Sequence, residues 1–243
     1  MPINIYMTSW YRKDMTETAV NYIHERTTPG SYILHIFDNG SDKDTRDFLC
    51  GLLEQGKIGS LHLDSRNTGC LYNKAVFYAM TETDDKYFCV TDNDVFPPKL
   101  SPDWLSQMVA IMDKRPNLAF LTPQLPPQGL QMPYRIDDDV VFCAAVGNTF
   151  KIVRREAYPI GEYDQKIGKY GDDGLVCSIL EKKGYRTAFC RRIYCLHAGQ
   201  CLNWGYKEEE ILKDPRKSGY GKPFLYGVTD NETFMPVDLN LRI

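Results

Sequence analysis

Short apolar runs alternate with segments of helical periodicity through the first half of the chain. The pattern predicts strands over residues 3–9, 32–37, 58–64, 86–92 and 117–124, and helices over 15–26, 42–56, 71–82 and 102–116. A repeated strand–helix unit is typical of an α/β domain with a parallel sheet and helices on both faces.

The alternation stops after residue 124. The expected elements there are a loop over 123–133, strand material returning to the sheet over 137–159, a helix over 171–185 and a strand over 186–199. His197 lies near the end of this last predicted strand. We therefore predict one α/β domain over 1–200 with a mixed, mostly parallel sheet flanked by helices, and a C-terminal extension over 201–243 packed on it.

Polar residues follow each of the first four predicted strands. They occupy positions 8–10, 38–39, 64–67 and 92–94. In open α/β sheets ligands bind beyond the carboxyl ends of the strands, where such residues meet. The sequence therefore predicts a binding site at this edge of the sheet.

The composition is that of an ordinary soluble protein, with 43% hydrophobic residues, 25% charged residues and a net charge of -3. The eight cysteines form no C-x-x-C pair of the kind that binds zinc, and several lie in apolar runs. No leader-like segment opens the chain, and no apolar stretch approaches the roughly 20 residues that span a membrane. We expect a cytoplasmic protein with reduced thiols and no transmembrane segment, and its oligomeric state stays open.

Asp92 and Asp94 form an Asp-x-Asp pair at the end of the fourth predicted strand. Carboxylate oxygens are ligands that Mn²⁺ and Mg²⁺ prefer, and a metal ion held there keeps positions for phosphate oxygens. The same pair is also typical of a polar turn or a helix cap ahead of Pro97. Motifs elsewhere in the chain are therefore needed to distinguish a metal site from a turn.

Six segments accompany this pair in a characteristic order: YMTSWYRKDM, IFDNGSDKDT, SRNTGCLYNKAV, VTDNDVFPP, YGDDGLVCSILEKKGY and CLHAG. Together they resemble the motifs of the family-2 glycosyltransferases of the GT-A fold, from about residue 3 to residue 200. The resemblance implies a GT-A fold with a nucleotide-sugar-binding half over 1–124 and an acceptor half over 125–200.

The resemblance also implies a UDP- or GDP-sugar donor that binds together with Mn²⁺ or Mg²⁺. It assigns to the donor Thr8, Trp10, Asp38, Asn39, Arg66, Asn67, Asn73, Asp92 and Asn93. It assigns to the metal ion Asp94, His197 and Asp92, of which Asp94 contacts the ion most directly. Asp and Asn can pair with polar groups of a base, and a Trp ring can wall its pocket. Taken alone, Asp38 and Asn39 also suit an ordinary turn, and Asn73 suits a local hydrogen bond in a helix.

The acceptor half carries the catalytic prediction. Inverting glycosyl transfer is a direct displacement at the anomeric carbon, so a carboxylate must take the proton of the acceptor hydroxyl. The resemblance gives this role to Asp173, and gives Asp172 and Asn148 to acceptor binding. Asp172 and Asp173 also suit the start of a helix, where negative charge is favourable.

Two positions depart from the family pattern and keep alternatives open. Leu175 stands where a further Asp is usual, which leaves room for a non-catalytic nucleotide-sugar-binding module. The usual Asn-Arg after the first strand is replaced by Trp10–Tyr11–Arg12. A sugar-phosphate nucleotidyltransferase is the other alternative, although no Gly-rich phosphate loop follows the first strand. The acceptor is open between a glycan, a lipid-linked sugar, a protein and, because of basic pairs beyond residue 150, a nucleic-acid base.

Overall fold

The computed structural model describes residues 1–67, 71–124, 133–159 and 173–197, and a nine-stranded sheet organises this part of the chain. The strands are β1 (Ile3–Ser9), β2 (Tyr32–Asp38), β3 (Ser60–Leu63), β4 (Tyr87–Asp92), β5 (Val95–Phe96), β6 (Leu118–Gln124), β7 (Pro133–Ile136), β8 (Val140–Cys143), β9 (Lys151–Arg154), β10 (Arg186–Tyr194) and β11 (Leu196–His197). The helices are α1 (Lys13–Arg26), α2 (Lys43–Glu54), α3 (Leu71–Glu82), α4 (Trp104–Lys114) and α5 (Asp173–Lys182). The strand order is β3–β2–β1–β4–β9–β6–β10–β8–β7.

The half of the sheet formed by β3, β2, β1 and β4 is parallel. In the centre of this half, β1 places Ser9 opposite Asp38 on β2 and Thr8 opposite Asp92 on β4. The carboxyl ends of these strands therefore meet at one edge, as the sequence predicted. Strand β1 and helix α3 have the predicted bounds, and the other predicted elements up to α4 differ from the observed ones by one or two residues at one or both ends.

The other half of the sheet is mixed, because β9 enters between β4 and β6 and runs antiparallel to both. Beyond β6, β10 is parallel, and β8 and β7 follow in antiparallel order. The mixed α/β sheet is confirmed, and the returning strand material over 137–159 forms β8 and β9. The fifth predicted strand, β6, does not lie beside the fourth. All four residues of β9 are buried, including Lys151 and Arg154 at its ends.

The predicted loop over 123–133 overlaps β6 and β7 at its two ends, and at the first end the strand predicted over 117–124 is observed instead. Gln124 is the last residue of β6 and Pro133 is the first residue of β7, while 125–132 lie outside the described residues. The Gln124 side chain belongs to the sheet, because its Nε2 donates to the carbonyl oxygens of Cys190 at 3.0 Å and Arg191 at 2.7 Å. A polar residue is thus buried here by hydrogen bonds to β10, which its local sequence does not indicate.

Two apolar clusters cover the two faces of the sheet. Because side chains alternate along a strand, Ile5 and Met7 of β1 enter one cluster and Tyr6 enters the other. Helices α1, α2 and α4 contribute to the first cluster, and α3 and α5 contribute to the second. In the described part of the chain, no helix has both the length and the apolar character that crossing a membrane requires.

Candidate active site

Asp94 lies buried just after β4 and contacts two basic side chains. Its Oδ2 accepts a hydrogen bond from Nη1 of Arg12, and its Oδ1 lies 3.3 Å from Nε2 of His197. Burial raises the pKa of the Asp94 carboxyl, but His197 and Arg12 together outweigh burial and hold that pKa below its usual value. Asp94 is therefore a carboxylate at neutral pH, and the guanidinium of Arg12 balances its charge.

His197 reaches Asp94 through a separate two-stranded sheet. Strand β11 pairs antiparallel with β5, and His197 lies opposite Val95, the residue that follows Asp94. Backbone pairing thus joins two positions that are distant in the sequence. The predicted proximity of His197 and Asp94 is confirmed, whereas their binding of a metal ion stays a prediction.

The turn after β1 has left-handed backbone conformations and places Arg12 beside Asp94. Tyr11 and Arg12 have left-handed backbone conformations with φ of 52° and 58°, which cost about 1–2 kcal/mol for each such residue. Nδ2 of Asn93 donates to the Tyr11 carbonyl oxygen at 3.1 Å, and the Tyr11 N–H donates to Oγ of Ser41 at 2.7 Å. The buried side chain of Asn93 therefore supports this turn, and its contact with a donor stays a prediction.

The turn after β2 is closed by a glycine that another turn approaches. Asp38 is fully buried, and its carboxylate accepts hydrogen bonds from the N–H and the hydroxyl of Ser41. Gly40 has a φ of 76°, and a Cβ on it would lie 2.4 Å from the carbonyl carbon of Arg66 and 2.7 Å from the nitrogen of Asn67. Asp38 thus closes its own turn, and its contact with a base stays a prediction.

The polar residues after β2 and β3 meet at this edge. Nδ2 of Asn39 donates to Oδ1 of Asn67 at 2.8 Å, and Arg66 beside them is exposed. Trp10 is half-buried and packs edge-on against Tyr11, with ring centroids 5.4 Å apart. The structure therefore brings together Asn39, Arg66 and Asn67, three of the residues predicted to contact the donor.

The ends of β1 and β4 are joined by a side-chain hydrogen bond. Oγ1 of Thr8 donates to Oδ1 of Asp92 at 2.6 Å, and both residues are predicted donor contacts. Across residues 1–67, 71–124, 133–159 and 173–197, no three His, Cys, Asp or Glu side chains form a group that could hold a metal ion. Asp92 therefore does not join the pair of Asp94 and His197, and metal ligation by Asp92 stays a prediction.

Three predicted residues fall wholly or partly outside the described structure. Asp173 is the first residue of α5, but its side chain lies outside, as does all of Asp172. Asn73 lies in the first turn of α3, and its side chain is likewise outside the description. The predicted roles of these three residues stay predictions.

Asn148, which is predicted to bind the acceptor, is hydrogen-bonded to the buried side chain of Lys151. Its Oδ1 accepts a hydrogen bond from Nζ of Lys151 at 2.5 Å. Lys151 is only 1% exposed, and its Nζ lies 4.6 Å from the centroid of the Phe120 ring, within the apolar cluster that α5 also joins. The sequence analysis missed Lys151, because a lysine at the start of a strand is usually exposed.

The residues around Asp94 fit a divalent cation. A carboxylate oxygen and a neutral imidazole nitrogen are ligands of a kind that Mn²⁺ accepts. The Arg12 guanidinium already lies against Oδ2 of this buried carboxylate, so the carboxylate has room for a positively charged partner. Arg12 was not among the predicted site residues, although a basic residue in the turn after the first strand indicates a position at the ligand-binding edge.

No protein-family model and no curated protein matches the sequence. Among solved structures, GalNAc-T7 with UDP, GalNAc and Mn²⁺ matches with a TM-score of 0.62 and 12% identity, over 81% of this chain and 44% of that chain. The mannosyltransferase PcManGT from Pyrobaculum calidifontis, in complex with GDP-Man and Mn²⁺, matches with a TM-score of 0.60 and 13% identity, over 90% and 69%. TarS from S. aureus matches with a TM-score of 0.58 and 14% identity, over 86% and 41%.

These likenesses confirm the predicted GT-A fold. The chain spans less than half the length of the GalNAc-T7 chain and of the TarS chain that it matches.

Proposed function

We propose that the protein is a metal-dependent glycosyltransferase that moves a sugar from a nucleoside diphosphate to an acceptor hydroxyl with inversion at the anomeric carbon. The observation that carries the proposal is the pair of Asp94 and His197, 3.3 Å apart at the edge where the parallel strands end. A buried carboxylate and an imidazole at this edge suit a cation that faces a diphosphate.

The similar structures support the choice of donor and metal ion. GalNAc-T7 is described with UDP and Mn²⁺, and PcManGT with GDP-Man and Mn²⁺. For this chain we propose a UDP- or GDP-sugar with Mn²⁺ or Mg²⁺. Asp94 and His197 would hold the metal ion, which when bound stabilises the charge that develops on the departing nucleoside diphosphate.

The strand-end residues would bind the nucleoside. Asn39, Arg66 and Asn67 offer amide and guanidinium groups to a base and ribose, while Thr8 and Asp92 offer a hydroxyl and a carboxylate. The hydrogen bonds between Asn39 and Asn67 and between Thr8 and Asp92 restrict these four side chains before a ligand arrives, and this lowers the entropy cost of binding. The mutual bonds of these side chains support a preformed nucleoside pocket.

The proton of the acceptor would pass to Asp173. As the first residue of α5, Asp173 lies at the helix end where a negative charge is favourable. A carboxylate held there can remove the proton while the hydroxyl oxygen attacks the anomeric carbon on the face opposite the departing diphosphate. Asp172 and Asn148 would orient the acceptor, whose chemical class we leave to the experiment.

A ligand screen tests the proposal. We would measure the thermal unfolding of the protein with UDP, GDP and their sugar conjugates, each with and without Mn²⁺. A ligand at a hundred times its Kd stabilises the folded state by about 2.7 kcal/mol. We expect stabilisation by one of the two nucleotide series, dependent on Mn²⁺ and lost in Asp94→Asn. No stabilisation in either series would contradict the proposal.

A turnover assay separates the enzyme from the alternatives. The donor identified by the screen is incubated with Mn²⁺, alone and with glycan, lipid-linked, peptide and nucleic-acid acceptors, and release of the nucleoside diphosphate is followed. Release of the nucleoside diphosphate supports the transferase. Tight binding without release across the whole panel would favour the non-catalytic binding module. Release of pyrophosphate from a nucleoside triphosphate and a sugar phosphate would favour the nucleotidyltransferase.

A further inference from the structure

Arg12 contacts the proposed metal ligand and has no role in the transfer as described above. Its Nη1 donates to Oδ2 of Asp94, while His197 faces the other carboxylate oxygen. We propose that Arg12 is the resident counter-cation of Asp94 and couples the binding of the metal ion to that of the nucleoside diphosphate. This inference rests on the proposed function, because it concerns the order and cooperativity with which the ligands of that site bind.

The position of Arg12 is enforced by the fold. Its backbone and that of Tyr11 are left-handed, a conformation that persists in such residues only where the surrounding structure determines it. The supports come from three elements: Asn93 after β4 and Ser41 after β2 bind Tyr11, and the Thr16 N–H of α1 donates to the Arg12 carbonyl oxygen at 2.9 Å. The turn therefore holds the guanidinium at Asp94 against a backbone cost.

The charges at Asp94 predict how the ligands bind. The Asp94 side chain is 6% exposed and the Arg12 side chain is 19% exposed, so their interaction is only weakly screened. The Asp94 carboxylate and the Arg12 guanidinium neutralise each other, so a divalent ion that arrives alone meets the positive charge of Arg12 at this carboxylate. Arg12 therefore opposes the binding of a metal ion by itself.

A nucleoside diphosphate that binds together with the metal ion removes the repulsion between Arg12 and that ion. Its phosphate oxygens bring negative charge, and a guanidinium binds phosphate oxygens through two parallel N–H groups. When a diphosphate binds, Arg12 can thus leave Asp94 and bind the phosphate oxygens, while the metal ion binds the Asp94 carboxylate. By linkage, each ligand then raises the affinity for the other by the same factor.

The test compares the wild-type protein with Arg12→Gln, which removes the charge and keeps a polar side chain. Binding of Mn²⁺ alone is measured from the electron paramagnetic resonance signal of free Mn²⁺. Binding of UDP and of GDP is measured by calorimetry at saturating Mn²⁺. We expect Arg12→Gln to bind Mn²⁺ alone about tenfold more tightly and the preferred nucleotide about tenfold more weakly, within the usual range of coupling between sites.

Lys13→Gln is the matched control, because it removes the same charge one residue later. Nζ of Lys13 contacts Asp44 at 3.1 Å and not Asp94, so both affinities should stay at their wild-type values. A purely structural role of Arg12 predicts that Arg12→Gln weakens both ligands together. Unchanged or weaker Mn²⁺ binding in Arg12→Gln would therefore overturn the inference.

The remaining outcomes separate this inference from the proposed function. If the wild-type protein binds Mn²⁺ and a nucleotide, and Arg12→Gln binds both with the same affinities, only the inference about Arg12 is wrong. If neither protein binds Mn²⁺ or a nucleotide, the proposed function fails as well. If Arg12→Gln does not fold, Arg12→Lys decides: its retained charge predicts wild-type affinity for Mn²⁺ and, without the fork of N–H groups, weaker nucleotide binding. Wild-type nucleotide affinity in Arg12→Lys would overturn the inference.

Discussion

The parallel half and the mixed half of the sheet place their polar residues in different ways. At the edge of the parallel half, the strand ends are bonded to one another, through Thr8 to Asp92, Asn39 to Asn67 and Arg12 to Asp94. In the mixed half, the described candidate residues are Asn148, bonded to Lys151 nearby in the sequence, and the first residue of α5. The donor edge is thus part of the framework of the fold.

This difference predicts two classes of mutation. Changes at the donor edge should lower the free energy of unfolding and the affinity for the nucleotide donor together, because the same hydrogen bonds serve both. Changes at the start of α5 should lower the rate of transfer, leave donor binding intact and cost at most the small contribution of a charge at a helix end to stability.

The largest effect is expected from Asp173→Asn in the mixed half. Asparagine keeps the size of the side chain and cannot accept the acceptor proton, so we expect the rate of transfer to fall about a thousandfold. The affinity for donor with Mn²⁺ should match the wild type, and the free energy of unfolding should fall by no more than about 1 kcal/mol, the usual contribution of a charge at a helix end. Glu181→Gln, an exposed change on the same helix, is the control and should leave the rate unchanged. Wild-type turnover in Asp173→Asn would remove Asp173 as the base.

Asp94→Asn tests the donor edge and should affect two properties at once. We expect the affinity for Mn²⁺ to fall about a hundredfold, because the charged ligand is lost. The free energy of unfolding in urea should fall by about 3 kcal/mol, because Arg12 is left without its buried counter-charge. Asp113→Asn is the control, since Asp113 pairs with Lys86 on the surface. Loss of Mn²⁺ affinity with wild-type stability would contradict the division between the two halves.

Gly40→Ala tests the packing of one strand end on another. An added Cβ would meet the backbone of Arg66 and Asn67 at 2.4 to 2.7 Å, so the turn after β3 must move. Gly30→Ala is the matched control, because Gly30 has nearly the same positive φ, 79°, with nothing within 4 Å of its Cβ position. We expect Gly40→Ala to cost about 2 kcal/mol more in urea unfolding than Gly30→Ala, and to weaken nucleotide binding. Equal costs would show that the close approach is unimportant.

The sequence predicted the parallel half well, because periodicity there agrees with the structure. The strand ends that carry Thr8, Asp38, Asn67 and Asp92 were placed at one edge from the pattern alone, since parallel strands end together. The proximity of His197 to Asp94 was expected only from the resemblance. It depends on β5 and β11, whose two-residue strands are too short to show a period.

Other features depend on contacts that no local pattern indicates. The insertion of β9 between β4 and β6 requires Arg154 to be buried, which is achieved because its guanidinium donates to the carbonyl oxygens of Leu118, Met112 and Arg115. The left-handed turn of Tyr11 and Arg12 is likewise supported by Asn93 and Ser41 from other strand ends, which bind the backbone of Tyr11. The edge and its candidate ligands were predictable from the sequence, whereas the contact of the Arg12 guanidinium with Asp94 was not.

The smallest expected effect is a loss of stability in acid that arises in the parallel half, away from its edge. The ring nitrogens of His35 on β2 contact Ser60 Oγ and Asn4 Oδ1, each at 2.8 Å, and burial lowers its pKa to about 4. In the unfolded chain His35 takes a proton near pH 6.5, so its contribution is present above that pH and is lost as pH falls toward 4. Between pH 7 and pH 4.5 we expect urea unfolding of the wild type to lose about 1–2 kcal/mol more than that of His35→Gln, allowing for the partial exposure of the ring. Equal losses in the two proteins would show that His35 does not cause the acid sensitivity.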